Sequence, residues 1–590
     1  MQFVPLPVRV PLKFYHSLYL SDICSAIQDV SEFIIEYYIS PRGLNFMRHY
    51  LSIFQQSARE NWNSPALSDY QGATYTFGEI ATRISKLHAC YEVIGVKAGD
   101  RAAIAAKNCS HWATSFVSIV SYQAVAVPIL ADFNPADIAK LTAHSDSLVL
   151  YTDAKTWEAM DVNEMPELKV AINIEDFTLL YASDKAIGEQ VSAILAEKID
   201  ASSVDKMAVT DYKIGDLNDL AIINYTSGTT SSPKGVMLTS GNLSSNIEFA
   251  LEYIPVKKGD QIMSMLPMAH MYGMAFEFLY PLFGGARVFF LGKTPTPTLL
   301  MQALADIKPY LLITVPLVLE KIFKNKVMPT LEKPALKILT AIPGVNKLIY
   351  AKVRKQLLNV FGGNIQSIVI GGAAISRPVE KVMRKIRLPY TVGYGMTECA
   401  PLIGYEPWQT FRLGSCGRVV TNMEVRIDSE NPQKQVGEIQ VKGANVMLGY
   451  YKNPEATAAT FTEDGYLRTG DLGIIDKKGN IFIKGRSKCM ILSPNGQNIY
   501  PEEIESKLNS FPRVAESLVV SRGNVLVALV AMTPEDQKKG ITEELKAQME
   551  QNRIELNKVM PAYSKISSIE IIEQGFEHTP KQSIKRFMYK

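Results

Sequence analysis

The period of the apolar positions changes along the chain, and each change predicts an element. Between residues 76 and 91, Phe77, Ile80, Ile84 and Leu87 recur three or four apart, the spacing of one helical face. The run at 102–105 has the length of a buried strand, and a helix is predicted over 111–122. Strands over 124–127 and 148–151 flank a predicted helix over 135–144. Helical stretches alternating with short β-branched runs predict parallel sheets covered by helices, an α/β fold. No internal repeat and no low-complexity tract interrupts this pattern.

Near residue 436 the pattern shifts to strict alternation. Residues 436–441 read as a half-exposed strand, and 472–475 pairs with 481–483 across Lys477-Lys478-Gly479-Asn480, a hairpin with a glycine in its turn. After Arg486 a second unit is predicted: helix 501–510, strands 516–520 and 526–531, a helix within 534–559 and a strand 567–572. About 100 residues suffice for a separate small α+β domain. The expected division is therefore an atypical extension at 1–46, a large domain of mixed and parallel sheets at 47–486, and a small domain at 487–590.

The extension reads unlike the rest. Pro5, Pro7 and Pro11 come early, and Arg9, Lys13, Asp22, Asp29 and Glu32 break every apolar run, so it does not match a secretory signal. One reading is a poorly ordered extension, or sequence upstream of a true start at Met47. The other is a lid or a peripheral membrane-surface contact built on Phe33, Ile34, Ile35, Tyr37, Tyr38 and Ile39.

Composition narrows the class. The 590 residues are 47% hydrophobic and 21% charged, ordinary for globular chains. The net charge of +3 leaves no electrostatic footprint for nucleic acid. Six scattered cysteines without a CxxC pair argue against a disulfide framework or zinc site and fit a reducing, cytoplasmic setting. No run of 18 apolar residues predicts a membrane span.

The most informative chemistry lies at 220–236, LAIINYTSGTTSSPKGV. A buried strand at 220–225 leads into Thr226, Ser227, Gly228, Thr229 and Thr230, then Pro233-Lys234-Gly235. Backbone N–H groups and hydroxyls there can donate to phosphate oxygens, and the lysine adds a point charge. The spacing is not that of GxxxxGK[ST], and a Ser/Thr-rich turn would share this composition.

This segment resembles the phosphate signature of the adenylate-forming superfamily, which comprises acyl-CoA synthetases, luciferases and peptide-synthetase adenylation domains. Further motifs follow in that superfamily's order: Pro267-Met268-Ala269-His270-Met271-Tyr272-Gly273, Gly371-Gly372-Ala373-Ala374, Gly393-Tyr394-Gly395-Met396-Thr397-Glu398, Tyr466 to Asp471, and Gly485-Arg486-Ser487-Lys488 with the segment from Gly496 to Glu505. Taken singly, His270 is better read as a core histidine, Tyr394 as packing, Asp471 as a turn former and Arg486 as a solvated charge. Their collinear order carries the resemblance.

The resemblance implies roles. Lys234 and the hydroxyls of Thr226, Ser227, Thr229 and Thr230 would hold the β- and γ-phosphates of ATP. Thr397 would bond the α-phosphate and Glu398 would hold Mg²⁺. Gly372, Ala373 and Tyr394 would line the adenine, while Asp471 and Arg486 would hold the ribose. Met268, His270, Tyr272, Phe276, Val315 and Gly395 would border the acyl group. Lys488 would be the pivot of a mobile C-terminal domain, and CoA would pass Gly496.

Two departures stand out. Ser231 replaces the usual glycine of the phosphate loop. In the C-terminal motif, Ser583 occupies the position of the usual lysine, leaving Lys585 or Lys581 as its substitute, with Lys585 preferred because Ile584 and Arg586 keep the usual neighbours. Gly395 replaces the tryptophan that closes the pocket of acetyl-type enzymes, and no aspartate near 267–273 would bind an α-ammonium group. The sequence therefore most resembles bacterial long-chain fatty-acid–CoA ligases, with a fatty acid, ATP and CoA as partners. The alternatives are a ligase that passes its acyl group to a carrier protein and a non-catalytic binding homologue. Oligomeric state stays open.

Overall fold

The computed structural model describes residues 39–40, 43–44, 47–226, 233–293, 296–492, 498–523, 525–578 and 584–589. By contacts the chain divides into Met1–Met47 and Arg48–Lys590. Within the first unit, strands Ile39–Ser40 and Gly43–Leu44 pair antiparallel.

The second unit follows the sequence periodicity closely. The 76–91 pattern becomes helix Phe77–Ile94, which buries Phe77, Ile80, Ile84 and Leu87. Its start is fixed by a reciprocal cap, in which Glu79 N–H donates to Thr76 Oγ1 at 3.2 Å and Thr76 N–H donates to Glu79 Oε2 at 2.7 Å. Helices Ser110–Ser121 and Pro135–His144 stand where the pattern places them.

Two large sheets form the core. One has the strand order Gly449–Tyr450, Lys234–Thr239, Leu220–Thr226, Val125–Ile129, Arg101–Ala105, Ser147–Thr152, Val170–Asn173, Leu179–Ala182. The other runs Tyr390–Val392, Ser367–Ile370, Leu311–Thr314, Gln261–Ser264, Arg287–Phe290, Pro65–Asp69, Thr74–Thr76. Most of their pairs are parallel, and antiparallel strands close the edges. The strand Lys234–Thr239, which the sequence reading left inside the loop, turns back antiparallel on Leu220–Thr226.

A four-stranded antiparallel sheet follows, in the order Met423–Asp428, Gly437–Gly443, Leu467–Ile475, Ile481–Arg486. Ile475 faces Ile481 across the expected hairpin. After it, Val514–Arg522 pairs with Val525–Met532, which pairs parallel with Ile566–Ile572. Helices Pro501–Leu508 and Glu543–Val559 contribute Ile504, Leu508, Leu545, Met549 and Leu556 to a separate hydrophobic cluster. The architecture is thus a large α/β domain of mixed sheets and a smaller α+β domain.

In open α/β sheets, ligands bind beyond the carboxyl ends of strands. Here strands ending at Thr226, Ile370 and Val392 lead directly into motif segments, and the strand ending at Thr314 leads to Val315.

Candidate functional site

The phosphate side begins at the hairpin. Thr226 lies opposite Lys234, and its Oγ1 donates to the Lys234 carbonyl at 3.5 Å. The turn between them, with Ser227, Gly228, Thr229, Thr230 and Ser231, lies outside the described residues. Lys234 Nζ stands 4.7 Å from the centroid of the Tyr450 ring, and Tyr450 donates its hydroxyl to Glu398 Oε1 at 3.0 Å. One aromatic residue therefore joins the phosphate lysine to the carboxylate of the TE segment. Val236 pairs with Tyr450 in the sheet register, which fixes that position. Burial, with Glu398 beside it, raises the Tyr450 pKa, so its hydroxyl remains a neutral donor.

Glu398 sits in a single 3₁₀ turn, Thr397–Cys399. The turn is held from behind by Asn246, whose Oδ1 accepts from Leu402 N–H at 3.0 Å and whose Nδ2 donates to the Cys399 carbonyl at 3.4 Å. Met447 N–H donates to the Glu398 carbonyl at 2.9 Å. Gly395, just upstream, is a close-approach position: a Cβ there would lie 2.3 Å from the Pro401 carbonyl oxygen. The backbone alone thus demands glycine, whatever the acyl chain requires.

The ribose-side residues meet in one cluster. Asp471 and Arg486 are direct cross-strand partners, with Arg486 Nε donating to Asp471 Oδ1 at 3.1 Å. Tyr394 donates its hydroxyl to Asp471 Oδ2 at 2.8 Å. Burial pushes the Asp471 carboxyl up, and Arg486 and Tyr394 offset part of that rise. Asp471 lies within strand Leu467–Ile475 where its register shifts against the neighbouring strand, next to Gly470 at φ +71°. Gly372 and Ala373 lie on the exposed loop after strand Ser367–Ile370.

On the acyl side, the 267–273 segment is pinned from three directions. Asn224 Nδ2 donates to the Ala269 carbonyl at 2.8 Å. Asn108 Nδ2 donates to the Leu266 carbonyl at 2.6 Å, and its Oδ1 accepts from Met268 N–H at 2.9 Å. Glu277 Oε2 accepts from the N–H groups of Met265 and Leu266 at 3.0 and 2.9 Å. Tyr272 donates its hydroxyl to the Val369 carbonyl at 3.1 Å, and a Cβ at Gly371 would lie 2.8 Å from its ring. Met268 and Phe276 are wholly buried in the main core, whereas His270, Tyr272 and Val315 are half-buried. His270 precedes the one-turn helix Met271–Gly273.

A cavity of about 380 Å³, lined by His49, Asp219, Leu220 and Ser240, lies at the opposite end of strand Leu220–Thr226 from these motifs.

The family model for AMP-binding enzymes matches residues 54–451, and that for the AMP-binding enzyme C-terminal domain matches 489–589. This chain belongs to the AMP-binding enzyme family. Among curated relatives of this AMP-binding enzyme, a long-chain-fatty-acid–CoA ligase, FadD15 of Mycobacterium bovis, is 28% identical over 75% of this chain and 74% of its own. A 4-coumarate–CoA ligase of Pinus taeda is 28% identical over 80% of this chain and 83% of its own. Among solved structures, the O-succinylbenzoate CoA synthetase MenE of Bacillus subtilis, in complex with ATP and magnesium ion, superposes with a TM-score of 0.68. It is 22% identical and covers 91% of this chain and 98% of its own.

In this AMP-binding enzyme the C-terminal candidates lie on the turn after Arg486 and on the tail. Lys488 is exposed in the 3₁₀ turn Ser487–Cys489, directly after Arg486. Lys585 Nζ pairs with Glu577 Oε2 at 3.2 Å, and Arg586 pairs with Glu505. Lys581, Ser583 and Gly496 lie outside the described residues. Among the described residues no group of three or more His, Cys, Asp or Glu could hold a metal ion. A single carboxylate such as Glu398 would suit Mg²⁺ where substrate phosphates supply most of its ligands.

Sequence reasoning missed Tyr450, Asn108, Asn224, Asn246 and Glu277. Tyr450 carries no local signal, because its role comes from pairing with a strand more than two hundred positions earlier. Asn224, Asn246 and Glu277 are polar side chains that the fold buries and Asn108 is half-buried, which the local sequence does not signal.

Proposed function

We propose that this enzyme activates a medium- or long-chain fatty acid with ATP and transfers the acyl group to CoA. In the first step a carboxylate oxygen bonds the α-phosphorus of ATP, the bond from that phosphorus to the bridging oxygen breaks, and pyrophosphate leaves with the electron pair. In the second step the CoA thiol bonds the acyl carbon, AMP departs, and the thiol proton is released.

The observation that carries this reading is the Lys234–Tyr450–Glu398 unit, which holds a cation and a carboxylate in fixed relation beside the phosphate hairpin. Two anions must approach, so charge and oriented donors aimed at the phosphates supply most of the catalysis. Lys234, Thr226 and Thr397 would bind the polyphosphate, with Ser227, Thr229 and Thr230 on the turn. Asp471 and Arg486 would orient the ribose, and Gly372, Ala373 and Tyr394 the base. Mg²⁺ held by Glu398 would neutralise charge on the leaving pyrophosphate.

The fatty-acid assignment is supported by the lack of an aspartate near 267–273 that would bind an α-ammonium group and by the FadD15 relative. It is tested by AMP release with CoA across saturated acids of increasing length, 4-coumarate and O-succinylbenzoate. Turnover should be highest with medium or long chains and should yield an acyl-CoA. A preference for either aromatic acid, or an acyl group appearing only on a carrier protein, would reject it.

A further inference from the structure

The connection from strand Leu311–Thr314 to its parallel neighbour Ser367–Ile370 runs through residues 315–366, far longer than the dozen or so a crossover needs. It carries helices Pro316–Ile322, Met328–Glu332, Pro334–Ala341 and Val345–Val360. On the inward side, Leu331, Tyr350, Val353 and Leu357 pack on the core. The outward side is different. Helix Pro334–Ala341 has no buried residue at all. Ala335, Ile338, Leu339 and Ile342 recur at helical spacing and are all exposed, Ile338 by 66%, and Leu348 of the next helix is 74% exposed.

Charge tells what covers this face. Residues 321–360 hold nine Lys or Arg against one acid, Glu332, a net of +8 within a chain of net +3. Among the described residues, only Lys324 of these nine makes an ion pair, with Glu320. Lys333, Lys337 and Lys347 are exposed around the apolar stripe.

We propose that helices Pro334–Ala341 and Val345–Val360 dock this enzyme on an anionic lipid bilayer, with Ile338, Leu339, Ile342 and Leu348 entering the headgroup–acyl boundary. A basic amphipathic helix lies in that plane, buried by its apolar face and drawn by its lysines. A protein partner is disfavoured because lysine is depleted at protein interfaces. A nucleic acid would leave the central leucines and isoleucines without a role. The segment returns to the sheet at Ser367, opposite Leu311, and leaves it at Val315, which would border the acyl group. That last point alone rests on the fatty-acid reading.

The test is partitioning of the full chain, without substrates, onto vesicles of phosphatidylcholine alone or mixed with phosphatidylglycerol. The wild type should bind the anionic vesicles and be released by salt. Lys333→Ala/Lys337→Ala/Lys347→Ala should bind about 10²-fold more weakly, at roughly one kcal/mol per surface lysine. Ile338→Glu/Leu348→Glu should abolish binding with an unchanged melting temperature, since neither side chain is buried. Wild-type protein that ignores anionic vesicles overturns the proposal. So does equal binding to neutral vesicles, or self-association that these substitutions remove, which would give the face to a second copy. Binding that survives them but is lost on deleting residues 1–46 would move the anchor to the extension and equally overturn it. Because no substrate is present, failure here leaves the fatty-acid assignment standing, and failure of that assignment leaves this one.

Discussion

Tyr450 joins the two charges of the proposed phosphate site, because its ring meets a cation and its hydroxyl meets a carboxylate. The two contacts are separable. Tyr450→Phe keeps the face under Lys234 and removes the bond to Glu398, whereas Tyr450→Ala removes both. Adenylate formation should fall less than about tenfold in the first and clearly further in the second, since a cation–π contact is worth about 0.5–2 kcal/mol. Rapid-quench measurement of adenylate formation separates them, and equal losses would show that the ring face is idle. Lys234→Ala and Glu398→Ala should each cost about 10²-fold or more, as expected for charge aimed at the transition state. Asp471 adds a pH signature. Burial raises its carboxyl and Arg486 offsets the rise, so Arg486→Ala should lift it further. If the proposed ribose contact needs the ionised carboxylate, nucleotide affinity should then fail at a higher pH on the acid side than in the wild type. Titration of AMP binding across pH reads this directly; an unmoved acid limb would mean that Asp471 does not govern binding. A Gly395→Trp probe of chain length is ruled out by the Pro401 carbonyl oxygen 2.3 Å from any Cβ. Val315→Trp is the better steric test and should shift preference toward shorter acids.

At the level of elements, the acyl motif depends on a buried acid. The helix over 271–283 widens into a π turn at Met274–Leu279, just before Pro281, which lacks the N–H of an α-helical bond. That turn carries Glu277, wholly buried and accepting two backbone N–H bonds. Burial drives its pKa well above the carboxylate range. A raised folded-state pKa gives stability that is full below the unfolded value, about 4.3, and lost as pH rises toward the folded value. Glu277→Gln keeps an acceptor without titrating. From pH 5 to 8, the wild type should therefore lose melting temperature relative to this variant. A constant difference would refute the buried-acid account. Glu277→Leu leaves two N–H groups unpaired and should cost about 1–3 kcal/mol for each. Much of this layer could be read from the sequence alone, and the reason is periodicity. Helix Phe77–Ile94 falls where apolar spacing puts it, and Pro135–His144 and Ser147–Thr152 stand close to their predicted places. Strands Lys234–Thr239 and Gly449–Tyr450 did not, because a short edge strand is defined by its partner rather than by its own pattern. The motif residues Lys234, Thr397, Glu398, Asp471 and Arg486 were legible as a set through their order. The contacts that hold them, made by Tyr450 and the buried asparagines, were not, since they join segments distant in sequence.

For the whole molecule, the tail and the extension make distinct predictions. Lys585 is engaged with Glu577, so we propose that its adenylation role would need the C-terminal domain to move, with Lys488 as pivot. Lys585→Ala should then slow adenylate formation by about 10²-fold and leave thiolysis of a supplied acyl-adenylate unchanged. Lys581→Ala should do much less, and a reversed ranking would reassign the role. Contacts divide the chain at Met47, so a chain beginning there should fold and keep its turnover. Among the described residues no helix is long and apolar enough to cross a membrane. The central claim is chemical: a carboxylic acid is joined to AMP before any thiol is involved. Its most direct test is isotope exchange between pyrophosphate and ATP, with a long-chain fatty acid and Mg²⁺ present and CoA absent. The account predicts exchange that depends on the acid, is lost in Lys234→Ala, and is followed by acyl-CoA and AMP when CoA is added. No acid-dependent exchange, or ADP in place of AMP, would contradict it.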